Sequence, residues 1–254
     1  MSEQRFACTA CGKCCYGWLP LSLDEALAHA DKFPLAIALT PVKPSERHYK
    51  VTTHLGTVFQ LPSRQKIALS MMPIAYIPAS CACPALTDDN LCAIHRAKPM
   101  RCRTMPFYPY RDEAHQMDLL VPRKGWGCDT GPTAPVVYRD KRIVDPSAFK
   151  AERAALLDDA PALRAYVDRL LKFVPSIQGR VMKAAQSRIA GRVIVSLSSF
   201  LRTDQRMSLE AFAIKQHPVL EAWIAKTESD AGAAEYTTYY REAASDLAGF
   251  RAKG

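Results

Sequence analysis

Nine cysteines, at positions 8, 11, 14, 15, 81, 83, 92, 102 and 128, carry the most specific chemistry in this chain. The run Cys8-Thr9-Ala10-Cys11-Gly12-Lys13-Cys14-Cys15 has two-residue gaps that let a tight turn aim successive sulfurs at one point, with Gly12 supplying permissive backbone. Its first three spacings equal those of a ferredoxin-type iron–sulfur run, whose fourth cysteine stands three residues further on, before a proline. Here Cys15 is adjacent instead. Side chains of neighbouring residues diverge from the backbone, so Cys14 and Cys15 are expected to be poor partners on one small ion and one of them to serve another site. Two metal centres follow, or one cluster plus one ion.

The remaining ligands expected are Cys83, before Pro84; Cys92; Cys102, between Arg101 and Arg103; and Cys128, in Gly125-Trp126-Gly127-Cys128. With Cys8, Cys11, Cys14 and Cys15 they make eight sulfurs, enough for two four-thiolate sites, and leave Cys81 as a buried free thiol or a replacement ligand. Zinc and iron both accept four thiolates in tetrahedral array. The C-x2-C-x2-C run and the remote Cys83-Pro84 favour a 4Fe-4S site over zinc, which more often uses two separated C-x2-C pairs. Buried free cysteines are the plain alternative, but burial alone does not cluster thiols at ligand spacing.

The opening run, followed by Cys83-Pro84-Ala85-Leu86, Cys92-Ala93-Ile94-His95 and Lys98-Pro99-Met100-Arg101-Cys102-Arg103-Thr104-Met105-Pro106-Phe107, resembles the zinc- or iron-chelating cysteine-cluster domain of the YkgJ type over roughly residues 6 to 130. The resemblance implies a metal-chelating domain. Flagellin lysine N-methylases are a branch of that family, so it also implies an enzymatic alternative in which a metal centre supports methyl transfer from S-adenosylmethionine to a protein substrate. A cofactor loop for that reaction is not evident: the glycines of Gly125-Trp126-Gly127-Cys128-Asp129-Thr130-Gly131 have the wrong spacing, and Pro132 and Pro135 oppose the helix that would follow. This stretch reads as the turn presenting Cys128. No Walker loop and no nucleophile elbow occur.

Arg96, Lys98, Arg101, Arg103 and Arg111 follow one another without an acidic residue, and positive charge there favours thiolate at Cys92 and Cys102. The rival reading is a zinc-organised protein- or RNA-binding module. Nucleic acid is disfavoured, because the run is short and Phe107, Tyr108 and Tyr110 are expected to pack rather than stack on bases. Asp88-Asp89-Asn90, between Leu86 and Leu91, reads as a hairpin turn rather than an acid–base pair. His95 is either a thiolate neighbour or a surface residue, and His48, His54 and His115 lack ligand spacing. Arg180, Lys183, Arg188 and Arg192 are expected on the solvated half of a helix, opposite Val181, Met182, Ala185 and Ile189.

These residues are carried by an ordinary globular chain. It has 254 residues, 48% hydrophobic and 23% charged, long enough for one or two domains with a real core. The start has no apolar export segment, so a cytoplasmic protein is expected. The uncharged run Ile67 to Thr87 is broken by Pro73, Pro78 and Pro84 and is expected to be buried protein, with no membrane role. Net charge is +9, and eight thiolates on two divalent ions would bring it to about +5, so part of the basic excess can offset the metal sites.

All cysteines, and fourteen of the eighteen prolines, precede residue 136, which predicts a loop-rich cysteine-cluster domain over 1–135 and a mainly helical region over 136–254 packed against it. The fold class expected is α+β. Ser22-Leu23-Asp24-Glu25 is a capping box opening a helix to about Phe33. Tyr49–Thr53, Thr57–Leu61 and Lys66–Leu69 read as strands of a small antiparallel sheet, and Gln116–Val121 as a further strand. After Pro146 apolar residues recur at helical steps, with Pro161 and Pro175 dividing helices, Ser208 opening another that Pro218 interrupts, and a last helix over Ala233–Phe250.

Overall fold

The computed structural model describes residues 3–187 and 191–251; Arg188 and Ile189 of the expected basic helix lie outside the described residues. The elements in chain order are β1 (Glu3–Arg5), β2 (Leu19–Pro20), α1 (Leu23–Ala28), β3 (Leu35–Val42), α2 (Tyr49–Leu55), β4 (Thr57–Gln60), β5 (Lys66–Ala75), α3 (Met100–Arg103), β6 (Val136–Arg139), β7 (Arg142–Ile143), α4 (Ser147–Phe173), α5 (Pro175–Gln186), β8 (Val193–Ser196), α6 (Leu197–Leu201), α7 (Leu209–Thr227) and α8 (Ala234–Arg251). This is the α+β class expected, with small antiparallel sheets and helices dominating the C-terminal half.

β5 is the axis of the larger sheet. Along one side it pairs β3 from Ala68↔Val42 to Ala75↔Leu35, and along the other it pairs β4 at its start and β2 at its end. β8 adds to the far side of β3 through Ala36↔Ser196 to Leu39↔Val193, so a strand from the C-terminal half completes a sheet begun in the N-terminal half. A second sheet, β1-β6-β7, also joins the two halves. The main core follows from these pairings: Ile37, Leu39, Leu69 and Ile74 pack with Val167 of α4, Phe212 and Leu220 of α7, and Tyr240 of α8. The run from Ile67 to Pro78 is almost wholly buried strand and turn, and no described helix is long and apolar enough to cross a membrane.

Several expectations are corrected. Tyr49–Thr53 is helix α2, not strand: Val51, Thr52 and Leu55 bury one face, and the Thr52 hydroxyl donates to the carbonyl of His48 at 2.9 Å, a backbone bond that β-branched Thr makes readily in helices. Gln116–Val121 is a short 3-10 turn over Met117–Leu120, because buried Gln116 turns its amide inward to Tyr108, Arg111 and Asp112 and gathers that loop about itself. α1 stops at Ala28 rather than Phe33. Pro161 and Pro218 do not divide helices; α4 and α7 run through them. Both prolines are exposed, as are Leu157 and Ile214 four residues earlier, so the carbonyls they orphan can bond to water. Pro175 does open a new helix.

Arg192 lies beyond the end of α5, before β8, with its guanidinium 4.5 Å from the Trp18 ring. β3 and β8 have no counterpart in the sequence reading. Thr57–Leu61, Lys66–Leu69, the capping box at Ser22, the start at Ser208 and the last helix appear where expected.

Candidate metal centre

Two short backbone ladders and one turn position the thiols. In the first ladder Ala7 and Asp129 exchange both backbone hydrogen bonds, at 2.7 and 3.0 Å, and the Thr9 hydroxyl donates to the carbonyl of Gly127 at 2.8 Å. In an antiparallel bridge the neighbours of the bonded pair oppose each other on one face, which sets Cys8 against Cys128. Cys11 lies alongside this bridge, its Cβ 3.5 Å from where a Cβ on Gly127 would stand, an ordinary van der Waals contact.

In the second ladder Tyr16 bridges Ala82 and the Cys83 amide donates to the Cys15 carbonyl at 2.7 Å, setting Cys15 against Cys83. The chain then turns back through Asp88-Asp89-Asn90, with Leu86 bridged to Cys92 and Thr87 N–H donating to Leu91 O. The hairpin turn expected there is present, with Asn90 at φ 59°. Cys102 arrives on α3, whose first amide, Met100 N–H, donates to Glu25 Oε1 at 2.6 Å.

Between the ladders runs the turn closed by Cys15 N–H donating to Gly12 O at 3.0 Å. Gly12 has φ +70°, and a Cβ there would stand 2.6 Å from Asn90 Oδ1, so the cysteine loop abuts the hairpin turn. Cys14 and Cys15 do not diverge as expected of neighbours. Their sulfurs are 4.0 Å apart, near the roughly 3.8 Å that two thiolates on one tetrahedral zinc would show.

Residues 7–120 match the family model CxxCxxCC, described as a putative zinc- or iron-chelating domain. The segment is similar to that domain over these residues. No curated protein and no solved structure matches the chain. Seven of the eight expected ligands fall inside the matched segment, and Cys128 lies just past it on the segment that returns to Ala7.

Local electrostatics sort the thiols of this region. Backbone N–H groups of Lys13 and Gly127 hold Cys11 below the ordinary thiol range. A hydrogen bond from the Cys15 thiol brings Cys14 down to about 6, with Lys98 adding to the effect, and by the same bond Cys15 is pushed far up. Burial raises Cys83, and the charges of Cys92 and Cys14 raise it further. Burial also lifts Cys102 to about 12, helped by the charge of Cys83. Cys128 is raised by burial and then by Cys11 and Cys8. Thiols that burden one another in this way form a donor set that a thiophilic cation relieves, because only the cation allows several thiolates to coexist.

All nine thiols are free. Among the described residues no three His, Cys, Asp or Glu side chains stand at ion-clasping distance, so the sulfurs are gathered as neighbours rather than as a finished shell. The chemistry of the set fits zinc or iron.

The basic run behaves less uniformly than expected. Lys98 favours thiolate at Cys14 and Cys102. Arg101 turns into the core instead, 3.5 Å from Glu152 Oε1, over the Tyr108 ring and donating to the Phe107 carbonyl. Arg111 is paired with Asp118 at 2.6 Å. Phe107 and Tyr110 are buried, as expected of packing aromatics. His95 is exposed on the turn after Cys92. Cys81 is half-buried and packs against the main core. The positioning residues that sequence reasoning did not foresee are Glu25, already recognised as half of a capping box, and Gly127, read only as part of a turn.

Proposed function

We propose that this chain is a metal-chelating protein whose thiolates Cys8, Cys11, Cys14, Cys15, Cys83, Cys92, Cys102 and Cys128 hold zinc or iron, and that the metal organises the loop-rich region over residues 1–135, with 136–254 as its helical support. The observation that carries this reading is the joining of the opening cysteine run to the segments of Cys128, Cys83 and Cys92 through the Ala7–Asp129, Tyr16–Ala82 and Leu86–Cys92 bridges. Bound metal would supply the cross-links that the segments from Cys8 to Gly17 and from Ser80 to Arg103 otherwise lack. Nine unpaired thiols at this density also favour reducing, cytoplasmic surroundings.

The C-x2-C-x2-C run supports an iron–sulfur cluster, whereas the separate pairing of Cys15 with Cys83 and of Cys8 with Cys128 supports individual ions. The test is elemental analysis with a visible spectrum on protein purified without oxygen. Iron with acid-labile sulfide and broad absorption near roughly 400 nm identifies a cluster, and colourless protein with stoichiometric zinc identifies zinc sites. Folded protein that neither contains nor takes up either metal overturns the reading.

A further inference from the structure

Positive charge is distributed unevenly along the chain. Seven lysines and arginines and no carboxylate stand between Asp168 and Asp204, so this stretch carries most of the net charge of +9 and the remainder is close to neutral. It runs from the end of α4 through α5 and β8 to α6. Two of its cations lie over rings: Arg192 is 4.5 Å from Trp18, and Arg202 is 5.2 Å from Phe250. Arg169, Lys172, Arg180 and Lys183 are exposed on the two helices that meet at Val174, and of these Arg180 keeps one long bond, to the Ile194 carbonyl at 3.4 Å.

The corner between those helices sets an aromatic ring among the charges. Leu170 and Leu171 at the end of α4 and Ile177 in the first turn of α5 take the inward positions and pack on the main core. Phe173, the last residue of α4, is left outward and 67% exposed. Lys172 Nζ lies over its ring at 5.1 Å, and Arg169, one turn earlier, shares its face of the helix. On α5, Arg180 and Lys183 are three residues apart on one face, turned away from buried Val181 and Ala185. The nearest carboxylate in sequence, Asp168, is engaged elsewhere, accepting the Thr57 hydroxyl at 2.7 Å. An exposed ring and like charges without carboxylate partners are both relieved by one kind of surface, in which phosphates lie above an apolar layer.

We propose that this corner is a docking surface for anionic phospholipid membranes: Phe173 enters the headgroup layer, and Arg169, Lys172, Arg180 and Lys183 meet lipid phosphates. The contact is peripheral, made from an outward corner, and needs no spanning helix. Nucleic acid fits the corner less well. A single strand is held in a groove and stacks its bases on open ring faces, whereas Phe173 protrudes and Lys172 covers one face of its ring. The inference stands apart from metal chelation, since no cysteine lies in this stretch.

The test is co-sedimentation of the full chain with sucrose-loaded vesicles of phosphatidylcholine, alone or with about one-third phosphatidylglycerol. At low salt the partition coefficient on anionic vesicles should exceed that on neutral ones by about tenfold or more, and it should fall to the neutral level near roughly 0.5 M salt. Phe173→Ala should lower partition about fivefold, and Lys172→Glu combined with Lys183→Glu about tenfold. All three positions are exposed, so the urea midpoint should match that of the native chain, which separates lost docking from lost folding. In Phe173→Trp, brominated lipid should quench the emission beyond the quenching seen in the native chain.

Equal partition on both vesicle types, or a Phe173→Ala chain that docks as well as the native one, overturns the inference. So does a labelled single-stranded oligonucleotide bound through Lys172 and Lys183 by a chain that leaves anionic vesicles uncoated, an outcome that would assign the corner to nucleic acid.

Discussion

Oε1 of Glu25 accepts the backbone N–H of Met100 at 2.6 Å while Oε2 of the same carboxylate accepts the Ser22 amide at 3.0 Å. One side chain therefore caps α1 and anchors the start of α3, two residues before Cys102. Replacing Glu25 with Ala removes both contacts. Loss of a cap and of a charge-assisted bond together should lower unfolding free energy by about 2–3 kcal/mol, measured as a shift in urea midpoint. Zinc retention should fall with it, whereas Glu25→Gln, which keeps an acceptor, should recover much of the loss.

Gly12 and Asn90 are expected to be energetically coupled. A methyl group on Gly12 must adopt φ +70° and stand 2.6 Å from Asn90 Oδ1. Gly12→Ala should destabilise the fold by about 1 kcal/mol or more. Asn90→Gly removes the obstructing amide and still permits the positive φ of that position, so the alanine should cost less in that background. A double-mutant cycle read by urea denaturation checks this, and additive costs would show that the loop and the turn do not press on each other.

Gln216 is fully buried and bonds three backbone groups: Leu35 N–H donates to its Oε1, and its Nε2 donates to the carbonyls of Ala30 and Phe33. Gln216→Leu leaves these groups without partners where α7 meets the start of β3. At about 1–3 kcal/mol for each unsatisfied group, a fall in melting temperature of roughly 5 °C or more is expected. Differential scanning calorimetry is the direct measurement.

Glu152 gives a pH dependence with a definite sign. Burial raises its carboxyl above the ordinary range against the opposing pull of Arg101, so the folded state binds this proton more tightly than the unfolded chain does. Its contribution to stability is present below the unfolded value near 4.5 and is lost as pH rises through the raised folded value. The urea midpoint of the native chain minus that of Glu152→Gln should therefore decrease as pH increases across this window. An increase would mean that Arg101 outweighs burial.

Stripping metal with chelator under reducing conditions should act locally. Amide exchange is expected to accelerate between residues 8 and 17 and between 80 and 103, where the ladders are short, while the β3–β5 pairing keeps its protection. Uniform acceleration across the sheet would show that the metal supports the whole fold.

Chemistry written in local spacing was legible from the residues alone. The Ser22–Glu25 box and the Asp88–Asn90 turn each depend on neighbours within a few positions and appear as expected, whereas Cys14 and Cys15 do not show the divergence that their adjacency suggests. Features decided at long range were not legible. Tyr49–Thr53 has β-branched residues that suit a strand, and only the burial of Val51, Thr52 and Leu55 on one face makes it a helix. β3 contains Pro41, which argues against a central strand, yet β8 ends its pairing at Leu39 and leaves that proline beyond the shared ladder. The gathering of Cys15 with Cys83 depends on the Tyr16–Ala82 bridge, for which residue spacing carries no signal.

The pairing of β8 with β3 bears on how the protein can be dissected. A fragment ending at residue 135 would lose the neighbour that covers Ala36 to Leu39, exposing an apolar edge with free backbone groups, and would lose the partner of β1 as well. Such a fragment, however complete its sulfur ligands, should self-associate and precipitate, so biochemical work on the cysteine cluster calls for the intact polypeptide.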